Sequence, residues 1–501
     1  MNHPIPKICP RVFAFFLLFS CVLATLPTNA HAQSQTQALR ILMARADSLI
    51  QLGEYKQAEK LYKEALKIDP KSIEGARGLS KVAAEKIDWD EVKKWNKKIV
   101  QVNQNDVEAN YYLGVAYRET GKVSGFIFKK KDFQKSEQHF NAVIERDPNF
   151  EDIFYQRALL ERWKENWEEA IGWNQKQLDR KPQLAQAQVG HFKFYRLFLI
   201  HEDENKVLKH LQDEESDWAV YFLGEWHRRN GHYAQADSIF QTLLQKKLTI
   251  SKEPILLSLV RLSLQQNQDE EAERYYEQAT ASINSDIDAQ FIFEELKYIF
   301  NDQEVNSYKD LTSTSEKKDF FGEFWIKRKP TAVSDFNERI LEHFNRLVYA
   351  EASYWCDGVR TWFNNPDKLR YLKFPKSYFL NEEFNDQGLI YIRHGEPTLT
   401  SISGQRQSFS DRATWYYPAN ESRPELILFF VVDVRAVGSN WRLSPIVDSD
   451  ALVDFAGINN NIDRLLLASS STEFISYQNR MADFSRENVF IALNTDTSQW
   501  E

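Results

Sequence analysis

Helix-forming patterns dominate the first three-fifths of the chain. Between residues 51 and 70, the small or aromatic residues Ala58, Tyr62 and Ala65 are spaced by four and three positions among charged residues. This spacing places all three on one face of an amphipathic helix. Gly53 precedes that helix and suits a left-handed turn, and Pro70 follows it and prevents its continuation. The pattern predicts a pair of helices joined at Gly53.

The same pattern returns at intervals of 34 residues. A step of 34 leads from Phe133 to Trp167 and from Pro148 to Pro182. A period of this length, with small and aromatic residues at these positions, resembles the tetratricopeptide repeat, in which paired helices stack into a solenoid. The segments that fit the pattern are 39–72, 107–150 and 218–250, then 73–106, 151–184 and 253–285, while 185–217 is degenerate. The resemblance implies a concave surface that binds a protein or peptide.

Small residues, aromatic residues and glycines have separate roles in such a repeat. Small side chains let paired helices approach closely, as at Gly114, Ala170, Gly224 and Ala236. Aromatic side chains fill the space between neighbouring hairpins, as at Tyr62, Phe140, Phe240 and Tyr276. The left-handed turn after a first helix is predicted at Gly53, Gly121 and Gly231.

One repeat is interrupted by ten additional residues, KVSGFIFKKK, between Gly121 and Phe133. They could form a binding loop that presents residues 126–128 beside the lysines at 129–131. They could instead lengthen the helical hairpin, with the apolar residues packed locally and the lysines solvated. We favour the longer hairpin, because insertions are readily accommodated where the helices of a repeat connect.

The partner-binding residues are expected on the first helices of the repeats. Polar side chains at Asn110, Arg118, Gln156 and Arg157 are our candidates for that contact. Their residue types do not distinguish them from ordinary solvated positions.

The second part of the chain has a different pattern. A polar linker is predicted for 301–320, and an amphipathic helix with Ser334 or Asp335 as its N-cap follows. Three segments bounded by turn residues have strand character: Thr414–Tyr417, Leu426–Val432 and Trp441–Leu443. The predicted fold class is therefore mostly α, with a helical solenoid followed by a smaller α+β domain that contains an antiparallel sheet.

A second resemblance covers about 130 residues, from Phe321 to about Ile446. Phe324-Trp325, Val348-Tyr349-Ala350, Asp386-x-Gly388, Gly395-x-Pro397 and Trp415-Tyr416-Tyr417 are similar to the bacterial GWxTD domain. At the position that names the family, the chain reads Glu382-Glu383-Phe384-Asn385-Asp386, where only the aspartate matches. The resemblance implies a related fold and carries no established activity.

Residues 388–397, GLIYIRHGEP, predict a short buried strand that leads to Arg393, His394 and Glu396. A strand ending in Arg-His-Gly-Glu resembles the nucleophile motif of histidine phosphatases, so a phosphate-ester hydrolase is one alternative function. His394 is the last histidine in the chain, and that family requires a second one further on. We therefore interpret the segment as a structural strand and turn, with Arg393 and Glu396 at an exposed sheet rim.

The N-terminus has the features of a secretory signal. Lys7 and Arg11 precede the apolar stretch from Val12 to Leu26, and Ala30-His31-Ala32 provides a cleavage pattern. An alternative is lipidation at Cys21, because residues 18–21 loosely resemble a lipobox. No later stretch is apolar enough to span a bilayer, so we expect an exported protein of the periplasm or cell envelope.

Charge and cysteine content narrow the classes of partner and site. The chain has 63 basic and 72 acidic residues, a net charge of -9, which argues against nucleic acid as a partner. After removal of residues 1–32, Cys356 is the only cysteine, so an intramolecular disulfide and a cysteine-based zinc site are excluded. We predict no metal and no cofactor.

The sequence predicts a non-enzymatic, exported scaffold whose solenoid binds a protein or peptide partner. Besides the hydrolase, a glycan- or cell-wall-binding protein is an alternative, based on Trp355 and Trp362. The tail is expected to contain a helix near 462–467 and a strand in the segment NVFIAL. The predicted organisation is 1–32 signal peptide, 33–300 repeat domain, 301–320 linker, 321–447 GWxTD-like domain and 448–501 C-terminal extension.

Overall fold

The fold is helical over most of its length and includes one small antiparallel sheet, as the sequence predicts. It is known from a computed structural model, which describes residues 36–123, 126–328, 336–356, 374–403, 412–419, 424–432, 440–443 and 487–496.

Fourteen helices follow one another in pairs in the described part of residues 36–281. They are α1 (36–51), α2 (Tyr55–Ile68), α3 (Ile73–Glu85), α4 (Trp89–Val102), α5 (Val107–Val123), α6 (Phe126–Arg146), α7 (Ile153–Trp163), α8 (Trp167–Arg180), α9 (Ala185–His201), α10 (Glu204–Asp213), α11 (Asp217–Arg229), α12 (Tyr233–Leu244), α13 (Glu253–Gln265) and α14 (Asp269–Ala281). The odd-numbered helix opens each pair.

The remaining elements belong to the C-terminal part. They are α15 (Asp286–Leu296), α16 (Asp302–Asp310), α17 (Thr314–Ile326), α18 (Glu338–Ser353), a 3-10 helix (Lys376–Leu380), α19 (Asp386–His394), β1 (Leu399–Ser403), β2 (Arg412–Tyr417), β3 (Leu426–Val432), β4 (Trp441–Leu443) and α20 (487–494).

The chain divides into two compact units. The first consists of residues 1–121 and 127–156, and the second of residues 122–126 and 157–501. The later helix pairs and the C-terminal elements therefore belong to one compact body. Its core is continuous from Leu256 in α13 to Leu493 in α20.

Glycines and aromatic rings fit against one another in both units. A Cβ atom at Gly224 would lie 2.5 Å from the ring of Phe240, and a Cβ at Gly114 would overlap the ring of Phe140. Both rings are fully buried. The predicted close approach of helices at small residues is confirmed at these two positions.

The prediction of a left-handed turn at Gly121 is wrong. Helix α5 continues to Val123, so Gly121 lies inside it, where a Cβ would come 2.6 Å from the ring of Phe133. The insertion lengthens the hairpin by extending α5 and by starting α6 at Phe126. Phe128 does not pack locally as expected, because its side chain is 68% exposed.

A left-handed residue follows the first helix in several other pairs. Gly53 and Gly231 have φ of 74° and 75°, as predicted. Ile87, Glu165 and Asn267 take the same conformation with φ of 57°, 64° and 56°. The backbone therefore requires this turn whether or not glycine is present.

Residues 301–320 are helical and not the predicted polar linker. Helices α16 and α17 each begin with a reciprocal capping box, in which Asn301 pairs with Glu304 and Ser313 pairs with Glu316. Tyr308 is buried in the core. The capping boxes and this burial explain why a segment of polar composition folds into helices.

Helix α18 begins two or three residues later than predicted. Asn337 caps it by accepting a hydrogen bond from the Arg339 backbone N–H at 3.1 Å. The expected caps Ser334 and Asp335 lie outside the described residues.

The sheet has the order β1-β2-β3-β4, and every pairing is antiparallel. Strands β2, β3 and β4 match the three predicted segments. Strand β1 was not predicted, because its sequence LTSIS is mostly polar and both Leu399 and Ile402 are exposed.

Two predicted strands are helices. The segment around Leu389–Ile392 lies in α19, where the Asn385 side chain accepts a hydrogen bond from the Gly388 N–H at 2.9 Å. The segment NVFIAL lies in α20, and the helix predicted near 462–467 falls outside the described residues. A short apolar run buried on several sides has no period that separates strand from helix.

Candidate functional site

A row of buried arginines recurs at the same position in consecutive repeats. Arg162, Arg196, Arg228 and Arg261 lie on the first helices α7, α9, α11 and α13, at intervals of 34, 32 and 33 residues. All four side chains are buried. We call these four residues the arginine row. The next first helix, α15, has Glu295 at the equivalent position, 34 residues after Arg261.

Glu351 of α18 binds three members of the arginine row at once. Its carboxylate oxygens lie 2.9 Å from Arg228 Nη2, 3.4 Å from Arg196 Nη2 and 3.4 Å from Arg261 Nε. Arg229, next to the row, is 3.8 Å away. A carboxylate from the C-terminal part of the chain is thus a ligand of the repeat helices α9, α11 and α13.

A second carboxylate, Glu383, binds one end of the same site. It lies 3.2 Å from Arg196 Nη2 and 3.8 Å from Lys297 Nζ, and it accepts a hydrogen bond from the Tyr298 hydroxyl at 3.0 Å. Glu295 completes the network by pairing with Arg196 and Arg261. The buried charges on the repeats are therefore matched by carboxylates from the same compact unit.

The network keeps the carboxylates of Glu351 and Glu383 ionised. Burial alone would raise the pKa of Glu351, but Arg228, Arg261, Arg229 and Arg196 outweigh burial and lower that pKa to about 2. Arg196 and Lys297 likewise lower the pKa of Glu383, again against its burial. An ionised carboxylate is therefore what this site selects.

Trp355 packs onto the same arginines. The guanidinium carbons of Arg196 and Arg229 lie 5.5 Å and 5.4 Å from its ring centroid, and Phe384 packs beside it at 5.3 Å. This half-buried ring is occupied by contacts within the chain, so it is not the exposed platform on which the glycan alternative depends. Trp362 lies outside the described residues.

The four predicted partner-binding residues are mostly buried. Asn110 donates to the carbonyl oxygens of Gln104 and Asp106 at 3.0 Å and 2.8 Å. Arg118 donates to the Gln156 side chain at 2.6 Å, while Arg157 forms an ion pair with Glu161. Asn110, Arg118 and Arg157 are each at most 5% exposed, so their visible role is to hold helices together.

The Arg-His-Gly-Glu segment does not assemble as a catalytic group. Arg393 is buried and donates to the carbonyl oxygens of Phe300 and Thr495 at 2.7 Å and 3.3 Å. His394 is buried as well, and its Nε2 lies 2.8 Å from the carbonyl oxygen of Ala492. A carbonyl oxygen only accepts, so this nitrogen carries a proton. Glu396 is exposed, and the expected exposure of Arg393 is wrong.

Gly395 closes helix α19 with φ of 74°, and its N–H donates to the Tyr391 carbonyl at 2.7 Å. Arg346 donates to the Arg393 carbonyl at 3.0 Å and so satisfies an open carbonyl at the helix end. This segment is a capped helix terminus.

Asp386 is the most buried charged group near α19, with no exposed surface. Its carboxylate accepts hydrogen bonds from the Tyr378 hydroxyl at 2.9 Å, the Leu443 N–H at 2.8 Å and Arg442 Nη1 at 3.3 Å. The aspartate therefore joins the start of α19 to the edge strand β4.

The described ranges show neither a candidate metal site nor a candidate membrane-spanning helix. In that part of the chain, His, Cys, Asp and Glu side chains form no group of three or more arranged to hold a metal ion. None of the helices described there is long and apolar enough to cross a membrane.

Sequence reasoning overlooked the arginine row and Glu351. The signal was available, because an arginine recurs near every thirty-third residue from 162 to 261 within an otherwise variable repeat. Glu351 left no comparable signal, since it lies among the other charged residues of an amphipathic helix.

Comparison with protein families supports the repeat pattern directly. The profile of the tetratricopeptide repeat matches residues 39–72 and, in a second version, residues 255–287. The chain contains tetratricopeptide repeats. The first match has the bounds read from the sequence, and the second nearly coincides with the predicted segment 253–285.

Solved structures with similarity to this chain include several repeat proteins. The MamA protein is 21% identical over 42% of this chain and 96% of its own, with a TM-score of 0.29. PilW, a type IV pilus biogenesis factor, is 14% identical over 51% of this chain and 99% of its own, also with a TM-score of 0.29. YrrB, described as having an unusual peptide-binding site, is 22% identical over 29% of this chain and 88% of its own, with a TM-score of 0.18. No curated protein matched the chain.

Proposed function

We propose that this protein is a non-enzymatic interaction scaffold with two working parts. The repeats from 157 to about 300 hold the chain's own C-terminal domain, and the repeats from 36 to 156 recruit a partner protein. The observation that carries the proposal is the binding of Glu351 by Arg196, Arg228 and Arg261.

Tetratricopeptide repeats form surfaces on which polypeptides dock. In this chain α9, α11 and α13 already hold side chains of another polypeptide segment through buried ion pairs. Arginine suits this task because its fork of N–H groups remains charged when buried and matches a carboxylate. A partner therefore has to use surface outside the arginine row, and the first compact unit offers it.

The non-enzymatic part of the proposal is supported by the contacts of His394. A nucleophilic histidine needs an accessible nitrogen, whereas this ring is buried and its Nε2 donates to a backbone carbonyl.

Two further parts of the proposal rest on the sequence. Export to the cell envelope is supported by the charged and apolar N-terminal segment and the Ala30-His31-Ala32 pattern. A GWxTD-like C-terminal domain is supported by the matching residues, of which Asp386 has a central structural position.

Site-specific photocrosslinking in the producing cells tests the recruitment. A photoreactive residue is placed at Gln101 on α4 or at Ile402 on β1, both of which are exposed. We expect a crosslinked product with a second protein from Gln101 and a much weaker one from Ile402. Products formed from Ile402 alone, or none from either position, would contradict the assignment of recruitment to the first unit.

A further inference from the structure

Eight lysines lie on two helices of the first compact unit. They are Lys93, Lys94, Lys97 and Lys98 on α4 and Lys129, Lys130, Lys131 and Lys135 on α6. We call this set the lysine face. Five of its members, Lys94, Lys97, Lys98, Lys130 and Lys131, are exposed and the other three are half-buried. This density of positive charge is unusual in a chain whose net charge is -9.

Three of these lysines converge on one aromatic ring. The ammonium nitrogens of Lys93, Lys97 and Lys135 lie 5.6, 5.5 and 4.9 Å from the ring centroid of Tyr117 on α5. Trp95 has a similar arrangement, with Lys94 and Lys98 at 4.9 Å and 4.4 Å. Aromatic rings stabilise a nearby cation by about 0.5–1 kcal/mol at exposed sites, which only partly offsets repulsion among several ammonium groups.

Acidic residues neutralise only part of the lysine face. Lys93 pairs with Asp90 at 2.9 Å and Lys94 pairs with Glu91 at 2.7 Å. For Lys97, Lys98 and Lys135, the described part of the chain places no carboxylate oxygen within 4.0 Å. The nearby Asp132 accepts a hydrogen bond from Thr120 at 3.1 Å. Two of the three ammonium groups around Tyr117, those of Lys97 and Lys135, therefore remain uncompensated.

The environment of His139 contains the same excess of positive charge. Its ring stacks on Tyr117 at 5.7 Å between centroids, and its Nδ1 lies 2.8 Å from the side-chain oxygen of Asn110. Burial, followed by Lys135 and Lys97, lowers the pKa of His139 to about 4. The histidine stays neutral first because it is buried, and second because the ammonium groups of Lys135 and Lys97 place positive charge beside it.

We propose that the lysine face binds an acidic segment of a partner protein, with carboxylates placed between the ammonium groups of Lys97 and Lys135, which lie beside Tyr117. This inference rests on the proposed recruitment function and names the chemistry of the partner. Exposed Phe128, one residue before Lys129, adds an apolar contact at the end of the face.

A short acidic peptide fits this surface better than a long polyanion. A nucleic acid or an anionic membrane presents charge over an area larger than the patch. Such a surface would also meet the acidic remainder of a chain with net charge -9. A segment of a few glutamates or aspartates contacts the lysine face alone.

The test uses the full chain and a fluorescent peptide of about ten residues rich in glutamate, at about 0.15 M salt. The variant Lys97→Gln with Lys135→Gln is compared with Lys56→Gln with Lys60→Gln. The second pair removes the same charge from exposed lysines on α2 of the same unit. We expect Kd to rise about tenfold or more for the first pair and less than about twofold for the second, as loss of specific charge contacts requires. A peptide with glutamine in place of glutamate should not bind.

Equal changes in Kd for the two double variants would overturn the inference. The inference would also be overturned if the glutamate peptide failed to bind and another anion bound instead. That anion would be a vesicle of anionic phospholipid or a single-stranded oligonucleotide, and its binding would be lost in Lys97→Gln with Lys135→Gln. The thermal midpoint of that variant should be no lower than that of the wild type, because the change removes repulsion among like charges. A lower midpoint together with lost binding would also count against the proposal.

Failure here is separable from failure of the proposed function. Crosslinks from Gln101 that persist unchanged in the Lys97→Gln, Lys135→Gln variant would keep recruitment and reject the lysine face. A peptide that binds as expected, with no crosslink to any protein in cells, would reject recruitment and leave the surface chemistry intact.

Discussion

Glu351 is the residue on which the contact between the repeats and the C-terminal part of the second unit depends most. Removing two charges from water is costly, and a buried ion pair repays that cost only when its partners are complete. Glu351 has four arginines within 3.8 Å, so the loss of its charge leaves several cations without compensation.

Glu351→Gln is expected to lower the free energy of unfolding of the second unit by about 3–5 kcal/mol at pH 7. The amide retains the size of the side chain but not its charge, so the effect reports the uncompensated arginines. Denaturant unfolding followed by circular dichroism measures it. Exposed Glu338, at the start of the same helix, provides the control, since Glu338→Gln should change stability by less than about 0.5 kcal/mol.

The pH dependence of that difference has a defined sign. The folded-state pKa of Glu351 is about 2 and its ordinary value is 4.5. The stabilisation is therefore complete above about pH 4.5 and is lost as the pH falls towards 2. The gap in stability between wild type and Glu351→Gln should narrow over that range. A gap of equal size at pH 7 and pH 3 would show that the charge of Glu351 is not responsible.

At the scale of single elements, the turn after each first helix constrains the residue that occupies it. Ile87 has φ of 57°, a conformation that costs a branched side chain about 1–2 kcal/mol. Its side chain is 71% exposed, so little apolar burial offsets that cost.

Ile87→Asn is expected to raise the free energy of unfolding of the first unit by about 1 kcal/mol, because asparagine tolerates the left-handed region. Thermal unfolding checks the sign. The matched change at Gly53, which has φ of 74° in the equivalent turn, should act in the opposite direction, so that Gly53→Ala destabilises by about 1 kcal/mol. If both changes have the same sign, the turn conformation is not the controlling factor.

The contact between Gly224 and Phe240 predicts coupling between two helices of one pair. Gly224→Ala places a methyl group 2.5 Å from the ring and should cost about 1–3 kcal/mol through overpacking. Phe240→Leu removes the ring atoms that clash with it. In a double-mutant cycle the combined loss should therefore be smaller than the sum of the two single losses. If the two losses of stability simply added, the helices would relieve the clash by moving apart, and the ring of Phe240 would not control the cost of the added methyl group.

The same scale shows where sequence patterns were sufficient. The repeat helices were predictable because small and aromatic residues return every 34 positions, so each copy supports the others. Helix α19 was not predictable from the sequence, because four consecutive apolar residues have no periodicity that separates a helix from a strand. Its helical state depends on the Asn385 cap, the turn at Gly395 and contacts with distant residues, such as the hydrogen bond from Arg393 to the Phe300 carbonyl.

At the scale of the whole molecule, the arginine row makes repeat helices and the C-terminal domain mutually dependent within the second unit. Glu351→Gln combined with Glu383→Gln should accelerate amide hydrogen exchange in α9, α11, α13 and α18 together. Exchange in α1–α4, which belong to the first unit, should not change. Hydrogen exchange with mass spectrometry measures both regions in one sample. Acceleration confined to α18 would indicate that the repeats are stable without their carboxylate ligands.

Long-range pairing sets the limit of prediction at this scale. The spacing of Arg196, Arg228 and Arg261 was readable from the sequence, but their common ligand is 90 or more residues further along the chain. The pattern of a repeat encodes what lies beside it, and nothing in that pattern encodes which distant carboxylate it will hold.

The change from arginine to glutamate at the end of the row distinguishes one position along the repeats from the others. Four consecutive first helices have an arginine at this position, and Glu295 ends the series with the opposite charge. Duplication of one internal repeat, for example residues 218–250, would create two nearly equivalent binding sites for Glu351. The C-terminal domain would then exchange between these two sites. The number of repeats before Glu295 therefore determines where the C-terminal domain binds. It also sets the length of surface that is available to a partner.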